Sequence, residues 1–136
     1  MTANAIVMMA GEKVARKINW GINECASSRN DIFPSNKVPY GLDKCEYWTT
    51  QGKTDIWDYY IVVYDGHDNG QPNPTAEWLT KVLPDGVNPT GNFVILHKKW
   101  NNELDVEENV KIEIGLKELR ELFTPNNDDD SEEEED

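Results

Sequence analysis

Basic residues are scarce in this chain: 13 Lys and Arg stand against 26 Asp and Glu, for a formal charge of −13. Such a balance is repelled by phosphate backbones, so direct nucleic-acid binding is not expected. Cysteine is nearly absent as well. Cys25 and Cys45 form no CxxC or zinc pattern, and two lone thiols fit a reducing compartment. No run approaches the roughly 18 apolar residues of a membrane span. The apolar patch Ala5 to Ala10 has no basic residues before it and does not read as a signal peptide. The expectation is a cytoplasmic or nuclear protein without a membrane segment. Walker, GxSxG, HExxH and dinucleotide-binding motifs are also missing, which removes the commonest nucleotide, serine-hydrolase and zinc-protease readings.

A chain of 136 residues suits one hydrophobic core. Apolar residues make up only 38%, yet five Trp and five Tyr supply large surfaces to bury. The sequence divides into a domain over residues 1–125 and a tail over 126–136. That tail, NNDDDSEEEED, holds eight acidic residues, without which the formal charge falls to −5. It cannot bury apolar surface and repels itself, so a disordered acidic tail is expected. Ser131 lies in an acidic context resembling a casein-kinase-type site.

Along the body, Ile6 to Ala10 fits either a short strand or the start of a helix. Lys17 to Glu24 has strand character interrupted by Gly21, and Ala26 to Gly41 has the composition of a loop. Cys45 to Thr50, a four-residue turn, and Ile56 or Trp57 to Tyr64 read as an antiparallel hairpin. Asn73-Pro74 opens a helix, with Asn as cap and Pro at the first position, running to Pro84. Phe93 to Leu96 fits a strand or a buried helix piece. Apolar residues at helical spacing predict a second helix over Val106 to Phe123, ended by Pro125.

The most informative stretch is Tyr59 to Gly70, YYIVVYDGHDNG, where a strand-forming run ends in Asp65, Gly66 and His67. A carboxylate at the end of a buried strand is held rigidly enough to meet a metal or substrate. Glycine allows a close backbone approach. Histidine can ligate a metal or carry a proton near neutral pH. An EF-hand does not fit, because the twelfth position of that loop is Ala76 rather than Glu and two prolines interrupt it. Nothing in the sequence activates Cys25 or Cys45 as a nucleophile toward His67 or His97.

DYYIVVYDGH, Asp58 to His67, resembles the strand and Asp-Gly-His motif of the metal-dependent serine/threonine protein phosphatases of type 2C. Upstream, Trp20-Gly21-Ile22-Asn23-Glu24 resembles the family's aromatic-Gly-Val/Ile-Ser stretch. Arg29 matches its phosphate-holding arginine, and Asn30-Asp31 its acidic metal-site pair. The spacing after the arginine is about three residues short relative to that family, and Asn30 replaces a Glu or Gln. Ala76 to Leu83 and Val106 to Phe123 resemble the two helices that follow the motif.

The resemblance implies an α+β fold with an antiparallel β-sheet and two main helices, part of the family's α-β-β-α sandwich. It implies a manganese or magnesium site at Asp65, the Gly66 carbonyl and Asp31, with His67 as general acid and Arg29 on the phosphate. The family's later Gly-Thr-Thr-Ala strand and the aspartates that complete the metal pair have no counterpart here. Metal-assisted phosphoester hydrolysis needs several carboxylates to hold the metals and acidify a bridging water. The leading expectation is therefore a shortened, catalytically impaired relative that binds a phosphoprotein or another protein partner as a regulatory module. A residual phosphatase is one alternative. An interaction protein using the scaffold and acidic tail without metal is the other. A homodimer through an uncovered sheet face is a further expectation for so short a version of the fold.

Overall fold

The computed structural model describes residues 2–33, 42–48, 58–65, 71–81, 83, 88–101 and 103–123. Six strands are present among them: β1 (Thr2–Met8), β2 (Arg16–Gly21), β3 (Asp43–Trp48), β4 (Asp58–Tyr64), β5 (Phe93–Asn101) and β6 (Val106–Val110). All pairings are antiparallel, and the sheet runs β2-β1-β5-β4-β3 with β6 also on β5. A single 3₁₀ turn spans Ala26–Ser28, a 3₁₀ helix spans Pro74–Lys81, and one α-helix, α1, spans Leu116–Phe123. This is an α+β fold with one antiparallel sheet among the described residues.

The longest strand, β5, organises the sheet. One of its edges carries β4 from Phe93 to Lys99. The opposite edge is shared: β1 pairs with Phe93 to Leu96 and β6 with His97 to Asn101. Because β1, β4 and β5 have neighbours on both sides and packed layers above and below, their sequences are apolar at nearly every position instead of alternating. Ile6, Met8, Tyr60, Val62, Tyr64, Phe93 and Ile95 bury against one layer. Ala5, Val7, Tyr59, Ile61, Val63, Val94 and Leu96 bury against the other.

Ala76, Leu79, Leu83, Ile112 and Leu119 cover the first face. In the 3₁₀ helix, Ala76 and Leu79 are three residues apart and therefore lie on one side. Its entry is fixed by Asn73, which is 1% exposed. The Asn73 side-chain amide donates to the carbonyls of Met8 (2.9 Å) and Gly91 (2.8 Å), while its Oδ1 accepts from Thr75 Oγ1 (2.6 Å). One side chain thus ties the helix entry, the end of β1 and the approach to β5 together. The second face is covered by residues 26–33, with Ala26, Ile32 and Phe33 buried among the sheet side chains and Trp20.

The two helices are thus Pro74–Lys81 and α1, but Val106 to Phe123 is not one helix, which corrects the expected bounds of the second. Its first five residues are β6, and only its last eight are helical. Asn101 Oδ1 accepts from the backbone N–H groups of Glu103 (3.0 Å) and Leu104 (3.1 Å), and Asp105 N–H donates to the Asn101 carbonyl (2.8 Å). Asp105 completes the reversal at φ 57°, a conformation that Asp tolerates better than most residues. The chain therefore returns along β5. Gly115 then opens α1, its N–H accepted by the Glu118 carboxylate at 3.1 Å, in the manner of a capping box.

Candidate functional site

The residues assigned to phosphate and metal at the N-terminal end of the sequence form a closed cluster. Trp20, the last buried residue of β2, donates its indole N–H to the Glu24 carbonyl (2.9 Å). The Glu24 carboxylate accepts the Gly21 N–H (2.9 Å), closing the turn after the strand. The 3₁₀ turn Ala26–Ser28 then brings Arg29 back over Trp20, with the guanidinium carbon 4.6 Å from the ring centroid. Cation–π contacts of this kind contribute roughly 0.5–2 kcal/mol.

Every nitrogen of the Arg29 guanidinium is directed at the protein itself. Nε and Nη2 donate to the two Asp31 carboxylate oxygens at 3.1 Å each. Nη1 lies 3.5 Å from the Asn19 carbonyl and 3.6 Å from Glu24 Oε2. A two-pronged Arg–carboxylate pair is among the strongest of side-chain hydrogen-bond arrangements. The two hydrogen bonds hold the Asp31 carboxyl below its ordinary range and push Arg29 further up. A phosphate would have to displace Asp31 to reach Arg29, and a metal would have to displace Arg29 to reach Asp31.

The depressed Asp31 has a consequence for pH dependence. Its contribution to stability is fully present above the unfolded carboxyl pKa and is lost as pH falls through the lower folded value. Asp31 is 63% exposed, so the contribution is small, on the order of 1 kcal/mol or less. Asp31→Asn is expected to lower the urea midpoint slightly at pH 7 and to leave it unchanged at pH 2. A difference that persists at pH 2 would show that Asp31 acts through something other than its charge.

Asp65 follows β4 directly, where Tyr64 pairs with Phe93 and Asp43. Asn92, just before Phe93, donates its side-chain N–H to the Ile32 carbonyl (2.8 Å), and its Oδ1 accepts the Ala10 N–H (2.8 Å). The end of β4 and the Asp31–Phe33 segment are thereby brought to the same end of the sheet. Gly66 and His67 lie outside the described residues. Among the described residues no three His, Cys, Asp or Glu side chains gather in a geometry that could hold a metal ion. Of the donors that the resemblance assigns, Asp31 is committed to Arg29, so the described part of the set does not fit a manganese or magnesium ion as it stands.

Two polar residues central to the structure carry no motif. Asn73 is one. The other is Asn109 of β6, 2% exposed, whose side-chain N–H groups donate to the carbonyls of Gly21 (2.8 Å) and Glu24 (3.0 Å) while its backbone N–H donates to Ile22 (2.8 Å). The turn that supports Arg29 is therefore held from β6, more than eighty residues away in sequence. The only sequence signal was an Asn among charged residues, which reads as surface.

No protein-family model, curated protein or solved structure matches this chain. Among the described residues no helix is long and apolar enough to cross a membrane. Function has to be read from the residues themselves.

Proposed function

We infer that this chain is a regulatory binding module on a frame related to the type 2C phosphatases, and that it does not hydrolyse phosphoesters by itself. One observation carries the reading: the groups that correspond to phosphate-holding arginine and metal-binding aspartate are bound to each other. In that state Arg29 and Asp31 fasten residues 26–33 over the sheet instead of facing a substrate. The partner is a protein, with a phosphoprotein as the class that the resemblance suggests, and the acidic tail adds a negative surface suited to a basic partner.

A residual metal-dependent phosphatase is the second reading. It is favoured by the shared sheet end of Asp65 and Asp31, which the Asn92 to Ile32 hydrogen bond maintains. In that reading Asp65 and Asp31 hold the metal with the Gly66 carbonyl, His67 supplies a proton, and Arg29 orients phosphate. The metal would lower the pKa of a bound water.

Hydrolysis of p-nitrophenyl phosphate with manganese distinguishes the two. The expected result is no turnover above buffer with manganese, either for the wild type or for Asp65→Asn. Manganese-dependent turnover that disappears in Asp65→Asn would overturn the binding-module reading in favour of the enzyme.

A further inference from the structure

On the sheet face opposite the 3₁₀ helix lies a cavity of about 360 Å³. Its floor is the sheet: Tyr59, Ile61 and Val63 of β4 and Leu96 of β5, each 7% exposed or less. A wall comes from Cys25 and Ala26, which begin the segment latched by Arg29. The volume lies in the range of small-molecule sites, which are mostly apolar with a few placed polar groups.

The placed groups are at one end. Lys98 of β5 and Glu107 of β6 both line the cavity. Lys98 is opposite Asn109 in the β5–β6 register and Glu107 is opposite Trp100, so the two charges are diagonal neighbours on one face. Neither takes part in the ion pairs among the described residues, which are Arg16–Glu12, Arg29–Glu24 and Arg29–Asp31. Glu24, the remaining charged lining residue, is already engaged by the Gly21 N–H and by Arg29. A half-buried ammonium and an exposed carboxylate thus border the cavity side by side, with no ion pair to either among the described residues.

Asn109, opposite Lys98 in the β5–β6 register, lies behind this end of the cavity and does not itself line it. Its Oδ1 is buried and has no hydrogen-bond partner among the described residues. Exchanging the amide oxygen and nitrogen does not cure this, because both partners of its Nδ2 are carbonyl oxygens. A buried acceptor without a donor is uncommon and costly.

We propose that the cavity binds a small zwitterion with an apolar side chain, of the α-amino-acid class: its carboxylate on Lys98, its ammonium on Glu107, its side chain over Ile61, Val63 and Leu96. The proposal is independent of the Arg29–Asp31 reading of function. The three groups divide the ligand's chemistry between them. Lys98 sets the requirement for a carboxylate, Glu107 for an ammonium, and the β4 floor for an apolar body. No bond is made or broken.

The test is calorimetric titration of the full chain with L-phenylalanine, with 3-phenylpropionate, which lacks the ammonium, and with phenethylamine, which lacks the carboxylate. Saturable binding of L-phenylalanine is expected, with each analogue about tenfold weaker, since one charge-assisted contact is missing in each. In Lys98→Met the advantage over phenethylamine should vanish, and in Glu107→Gln the advantage over 3-phenylpropionate should vanish. Neither side chain takes part in an ion pair among the described residues. Cys25→Trp, which fills the cavity from its exposed rim, should abolish binding of all three. Absence of saturation at about 10 mM, weaker than any specific site of this size, would overturn the proposal. So would binding of the three compounds with equal affinity, or binding unaffected by both charge substitutions.

Discussion

Replacing Asn73 by Asp is expected to destabilise the protein by about 4 kcal/mol at pH 7, more than replacing it by Ala. The side chain is 1% exposed and gives its two amide hydrogens to Met8 and Gly91 carbonyls. Ala leaves those two acceptors without donors, at roughly 1–3 kcal/mol each. Asp does the same and sets a buried negative charge against them. The variant carboxyl should therefore have a folded pKa above its unfolded value of about 3.9. With the folded pKa raised, the penalty is absent below the unfolded pKa and grows as pH rises through it. Urea unfolding of both variants between pH 3 and pH 7 should show Asn73→Asp recovering toward the wild type at the acid end, and Asn73→Ala staying parallel to it. Two parallel deficits would mean that the amide's donors are not what Asn73 contributes.

Trp20→Ala should cost a similar amount, about 3–5 kcal/mol, as large-to-small changes at buried aromatics do. Trp20 is 1% exposed, donates to the Glu24 carbonyl, and carries Arg29 on its ring. Trp20→Phe keeps much of the packing and loses the hydrogen bond, so an intermediate loss is expected. Pairing Trp20→Leu, which has no aromatic face, with Arg29→Met should give a loss smaller than the sum of the single losses by roughly 0.5–1 kcal/mol, the size of the ring–guanidinium contact. Full additivity in denaturant midpoints would show that the ring and the guanidinium do not interact.

The parts of the fold that were legible in the sequence are those fixed by local chemistry. Six consecutive strand formers before Asp65 mark β4, and Asn73-Pro74 marks a helix entry; both stand where expected. The helix is 3₁₀ because its buried residues, Ala76 and Leu79, are three apart and Asn73 is drawn toward β1 and Gly91. Ile6 to Ala10 was undecided between strand and helix, and β1 is chosen by neighbours distant in sequence, β2 on one side and β5 on the other. Val106 to Phe123 misled because two periods overlap there. Val110, Ile112 and Ile114 alternate as a strand does, while Leu116, Leu119 and the charges between them suit a helix. What decides is the Asn101 turn with Asp105 at positive φ, which sends residues 106–110 back along β5.

The same distinction applies to the site. Arg29 and Asp31 were legible as chemistry-bearing residues, but their fork depends on the turn at Ala26–Ser28 and on the Trp20 ring beneath. Asn109 was invisible because its partners, Gly21 and Glu24, are brought to it only by the sheet. Lys98 and Glu107 read as surface charges until the β5–β6 register set them on one face above the β4 floor.

The most direct measurement is titration calorimetry of manganese into the wild type and Asp65→Asn. With Arg29 and Asp31 holding each other, no saturable binding tighter than about 1 mM is expected in either protein. Tighter binding by the wild type that disappears in Asp65→Asn would contradict the closed-cluster account and make the chain a metal-dependent phosphatase candidate.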